Sequence, residues 1–182
     1  MKPLSLLTLL APIVVAGSLN AASADYLLEI DGIKGESKHR EAIEIQSFSW
    51  GVSNTGPFAS GGGGGTGKVS FQDVHFTTRI SKATPQVLLA CATGAHIRQA
   101  TITCRKAGSD GTTHEYMTIT LEDVFLTSQK QTGLTSSTAT AADDMPTEEV
   151  AFYYSKMTIV HTAEDGTVTT GLAVRTPEIT PQ

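Results

Sequence analysis

The chain has 182 residues, 17% charged and 40% hydrophobic, enough for one folded domain and unlike a disordered tail or a membrane bundle. Lys and Arg total 13 against 18 Asp and Glu, a formal charge of −5. That balance argues against a dedicated nucleic-acid binder, which needs clustered cations to neutralise phosphates. Aromatic residues are only 6%, so the core must come mainly from Ile, Val and Leu.

The first 24 residues read as a secretory signal. Met1-Lys2 supplies a positive start, Leu4 to Val15 is largely apolar, and Ala22-Ser23-Ala24 offers small residues for a peptidase. The apolar run is short for a membrane span. Removal before Asp25 would take away one Lys and leave 12 − 18 = −6. Beyond it no stretch is long and apolar enough to cross a bilayer, so no membrane partner is expected after signal removal.

From Asp25 the chain reads as β-structure. Asp25 to Asp31 is a short strand closed by Asp31-Gly32. Glu41 to Trp50 alternates Ile43 and Ile45 with polar residues, then shifts phase to Phe48 and Trp50, the signature of a bulge or of a strand changing sheets. Lys68 to Thr77 shifts in the same way, from Val69 and Phe71 to Val74 and Phe76. Thr84-Pro85 reads as a helix cap followed by proline at the first helical position, with Val87, Leu88, Leu89 and Ala92 as its apolar face and Gly94 as its stop. Arg98 to Lys106, His114 to Thr127 and Glu148 to Ala163 are the long strands, and Asp165-Gly166 turns into a last one, Thr167 to Gly171. Two segments read as loops, Ser53 to Gly67 and Gln131 to Pro146. The pattern predicts a mainly β fold, a small barrel or sandwich with one short α-helix.

Little chemistry accompanies that fold. Gly62 to Lys68 matches the first seven positions of a phosphate-binding loop, but Val69 stands where Ser or Thr must hold magnesium, and a strand follows instead of a helix. Cys91, His96, Cys104 and His114 are metal-ligand types without the paired spacing of a zinc site, and His39, His75 and His161 stand singly. No Gly-x-Ser-x-Gly elbow surrounds any serine. An oxidising compartment would permit a Cys91–Cys104 disulfide; the alternative is two buried thiols, favoured by the alternation that turns Cys104 inward. No catalytic residue, metal or cofactor is expected.

Several separate motifs stand in order along the chain: Tyr26 to Ser37 (YLLEIDGIKGES), Ser47-Phe48-Ser49-Trp50-Gly51, the glycine run ending at Val69, Thr84-Pro85, and Leu89 to Gly94. Cys104 to Gly108, Glu115-Tyr116, Ile119 to Val124 and Pro146-Thr147-Glu148 continue the series. In order and spacing, from Asp25 to about Gly166, they resemble the Hcp family, the haemolysin-coregulated tube proteins of bacterial type VI secretion.

The resemblance implies a two-sheet β-barrel with one short helix over residues 25–174, followed by a tail, 175–182. It implies a non-enzymatic subunit that closes into hexameric rings stacked as a tube, working with a sheath, a tip protein and effector cargo, and itself secreted. Ser53, Asn54, Gly61, Gly62, Gly63, Gly64, Gly65 and Lys68 would belong to an assembly loop reaching neighbouring subunits, and Ser49 would face the channel. The signal-like start departs from the family, whose tube proteins assemble in the cytoplasm without one. So does Leu172, where many relatives carry an aromatic residue after glycine. The rival expectation is an exported paralogue acting as a monomeric binding module or an effector enzyme.

Overall fold

Among the described residues, mostly alternating apolar and polar positions build ten strands, and one short helix lies among them. The structure, a computed structural model, describes residues 24–55, 68–108, 112–133 and 145–175. The proposed signal, Gly61 to Gly65 and nearly all of the tail lie outside the described residues. The strands are β1 (Ala24–Ile30), β2 (Ile43–Ser49), β3 (Val52–Thr55), β4 (Lys68–Phe71), β5 (Val74–Arg79), β6 (Ile97–Ala107), β7 (Thr113–Thr132), β8 (Thr147–Tyr153), β9 (Lys156–Thr162) and β10 (Val168–Val174). Helix α1 (Thr84–Thr93) separates β5 from β6.

Every pairing is antiparallel. The order β7-β6-β1-β2-β5-β8 closes on itself because β8 also pairs with β7, which makes a six-stranded barrel. Strands β9 and β10 extend the sheet beyond β7, while among the described residues β3 and β4 pair only with each other. The barrel thus has no edge strand of its own, and the added pieces carry the edges.

Strand β7 makes the closure possible. Over Thr113 to Val124 it pairs with β6; on its other side Met117 to Glu122 pair with β9, and Phe125 to Thr132 pair with β8. The core fills the barrel with Leu28, Ile43, Ile45, Val74, Phe76, Ile102, Ile119, Leu121, Val150, Phe152 and Tyr154, all at most 5% exposed. Phe76 and Phe152 meet across β5 and β8 with ring centroids 5.1 Å apart.

The phase shift in β2 is a real irregularity, for its register with β5 slips between Ile45 and Ser47. The shift in Lys68 to Thr77 is a change of sheet, with β4 in the ribbon and β5 in the barrel. Glu148 to Ala163 also divides, at Tyr154-Ser155, into β8 and β9, which stay in one sheet on the same side of β7. Neither segment is one strand.

Both proposed loops begin in regular structure. Ser53 and Asn54 belong to β3, Lys68 to β4, and Gln131-Thr132 to β7.

The helix corrects two expectations. Ala83 is its cap residue and Thr84 its first helical residue, because the Thr84 hydroxyl donates instead to the buried carboxylate of Glu148 at 3.0 Å. Gln129 Nε2 donates to the other oxygen of Glu148 at 2.7 Å, so α1, β7 and β8 meet on one acid. The second correction is the face: Val87 and Ala90 are buried, while Ala92 is exposed and Leu88 and Leu89 are 54% and 63% exposed. Gly94 does stop the helix, at φ 61°, a left-handed conformation that suits glycine.

Candidate assembly surfaces

Among the described residues, no three His, Cys, Asp or Glu side chains converge where they could hold a metal ion. Both cysteines are free thiols, Cys104 buried and Cys91 half-buried. Burial raises the Cys104 thiol from 9.0 to about 11, offset in part by a hydrogen bond with Tyr116. Burial also pushes the Tyr116 phenol to about 12, helped by neighbouring Cys104 and Tyr26. A thiol so far from ionising at neutral pH is a packing group and a poor nucleophile. No helix among the described residues is long and apolar enough to cross a membrane.

What the structure offers instead is exposed apolar surface on three added or peripheral elements. On β10, Val168, Leu172 and Val174 are 60%, 62% and 56% exposed. Their spacing puts all three on one face, with Thr170 between Val168 and Leu172. One edge of β10 pairs with β9 throughout, from Val168↔Thr162 to Val174↔Lys156; among the described residues no strand pairs with the other. Proteins usually guard such an edge with a charge, a proline or a bulge. Strand β10 has none of these guards.

The second element is the β3–β4 ribbon. Val52 lies opposite Phe71 and Asn54 opposite Val69, so these four share one face, while Ser53 and Ser70 share the other. Val52 and Val69 are both exposed, as is Trp50 just before the ribbon. The third is the outer face of α1, with Leu88 and Leu89.

Ser49 sits on a polar stretch of barrel wall. It is exposed at the end of β2 opposite His75, and nearby the Ser47 and Thr77 hydroxyls meet at 2.5 Å. Of the sequence-selected residues, the ribbon gathers Ser53, Asn54 and Lys68, whereas Ser49 stands on the barrel wall, Cys104 lies in the barrel core on β6 and Cys91 is on α1. Sequence reading passed over the exposed side of α1 and the apolar face of β10. For β10 the uncharged run Val168 to Val174 was the available signal.

The family model described as "Type VI secretion system effector, Hcp" matches residues 27–161. Protein hcp1 of Pseudomonas aeruginosa is 39% identical over 140 residues, which cover 75% of this chain and 82% of that protein. Among solved structures, a type VI secretion system effector from Yersinia pestis superposes with a TM-score of 0.65 at 28% identity, over 83% of this chain and 100% of that one. Hcp1 from Salmonella typhimurium gives the same TM-score and identity, over 83% and 94% of the two chains.

Proposed function

Because the chain belongs to the Hcp family of type VI secretion tube proteins, we propose that it is a non-enzymatic inner-tube subunit that forms hexameric rings, stacks them, and carries effectors in the lumen. The observation that carries this reading is the unguarded edge of β10 with its apolar face. A strand of this kind gains both hydrogen bonds and apolar contact when a neighbouring subunit covers it. The ribbon, continued by the glycine run, would reach the next subunit or ring, and Ser49 would look into the channel. Sheath, tip protein and effectors are the partners this role requires, and the tube itself would be released from the cell.

Export through a cleaved signal is a separate proposal. β1 begins at Ala24, at the boundary where removal before Asp25 would fall. N-terminal sequencing of the released protein tests it, and an intact Met1 would overturn it.

The experiment for the tube is negative-stain microscopy of the purified protein, with its solution mass measured in parallel. Six-fold rings with a hexamer mass are the expected result. A monomer at every concentration would overturn the reading and favour a binding module that kept only the fold.

A further inference from the structure

The ribbon hangs from the barrel by two chain connections, Trp50-Gly51 and Gln72-Asp73, and β3 and β4 pair only with each other among the described residues. A two-stranded ribbon held in this way would pivot about those connections unless a further contact fixed it. The Gln72 N–H, which donates to the Gly51 carbonyl at 2.9 Å, joins the two connections to each other, and a further contact to the rest of the fold comes from the far end of the described chain. Arg175, directly after β10, donates through Nη2 to the Phe71 carbonyl at 2.7 Å and through Nη1 to Asp73 Oδ1 at 3.0 Å. Its own backbone N–H donates to the Ser155 carbonyl at 2.8 Å, at the corner between β8 and β9.

The setting makes these bonds strong. The side chains of Arg175 and Asp73 are only 16% and 26% exposed. The guanidinium lies over the Tyr153 ring at 4.4 Å and the Tyr154 ring at 4.9 Å. Thr127 Oγ1 on β7 donates to the second oxygen of Asp73 at 3.0 Å, which fixes the carboxylate that receives Arg175. Partly buried, charge-assisted bonds from a planar fork hold direction as well as distance.

We infer that Arg175 is a positioning residue that aims the β3–β4 ribbon and ties its direction to β10. The ribbon and β10 therefore move together, although more than a hundred residues separate Arg175 from Phe71. That the aim matters to stacking rests on the tube reading above; that the clamp exists does not. Trp50, the sole tryptophan, stands at the ribbon's base and reports on it directly.

The test compares Arg175→Ala, Arg175→Lys and Asp73→Asn in the purified protein. Hydrogen exchange and Trp50 anisotropy read the ribbon, and microscopy reads rings and tubes. In the alanine variant, exchange at β3 and β4 should quicken about tenfold or more, as expected for loss of charge-assisted bonds, with barrel amides such as those of Leu28 and Ile102 unchanged. Trp50 anisotropy should fall. Lysine keeps the charge without the fork and should restore part of the protection, and Asp73→Asn should fall between lysine and alanine. Rings should persist while stacked tubes become rare.

Unchanged ribbon exchange, or equal loosening of ribbon and barrel, would overturn the clamp. Normal stacking with a loosened ribbon would overturn its part in assembly. A wild-type chain that forms no rings would sink the tube reading instead, and the exchange result would still judge the clamp.

Discussion

The closed barrel and the pieces added to it follow opposite rules. In the barrel, Leu28, Ile102, Ile119 and Phe152 are fully buried and each strand pairs on both sides over at least part of its length. On β10 three large apolar side chains stand more than half exposed beside an open edge. The difference separates two tasks: the barrel stabilises one subunit, whereas β10, the ribbon and the outer side of α1 contribute little to that and are available to a second subunit. Substitutions in the two regions should therefore fail in different ways.

Phe152→Ala should give the largest loss, about 3–5 kcal/mol, since it removes a fully buried ring packed on Phe76. Denaturant unfolding checks it, and loss of rings should follow only from loss of the subunit.

Alkaline pH should weaken the barrel next. In the folded state Cys104 keeps its proton up to about pH 11, whereas the unfolded thiol releases it near its ordinary 9.0. The unfolded state thus holds fewer protons between those values, and stability falls as pH rises through them, by roughly 2 kcal/mol at pH 11. Tyr116 adds to the decline between its ordinary 10.0 and about 12. Unfolding curves from pH 8 to 11 should show the slope, and Cys104→Ala should flatten it.

Glu148→Ala should cost about 2 kcal/mol, because it strips Thr84 and Gln129 of their buried acceptor and frees the start of α1. A lowered midpoint with faster exchange in α1 is the outcome to look for.

Leu172→Ser should change subunit stability least, by less than about 0.5 kcal/mol, because the side chain is exposed. It should nevertheless reduce ring formation measured by solution mass, and Leu89→Ser tests the face of α1 in the same way. A large loss of stability from either would erase the division between the two regions.

How much of this was legible depended on whether the cause was local. The slip in β2 showed in the sequence because Ile43 and Ile45 hold one phase and Phe48 another. Gly94 marked the helix end for an equally local reason, its left-handed backbone. The cap at Thr84 misled because its hydroxyl answers to Glu148, 64 residues away. Leu88 and Leu89 misled because α1 is apolar nearly all round, so hydropathy could not choose a side. Of the ribbon, β4 showed through Val69 and Phe71, but β3 was hidden in a stretch of Ser, Asn and Thr, where pairing comes from the partner strand and not from alternation. Arg175 left no signal, since its partners meet only once four elements have come together.

Strand β7 has a mechanical consequence. At about 3.3 Å per residue its 20 residues would span roughly 65 Å if straight, and it is hydrogen-bonded to β6, β8 and β9. A push on the β9–β10 hairpin directed along β7 loads those bonds in shear, many at a time, instead of peeling them apart in succession.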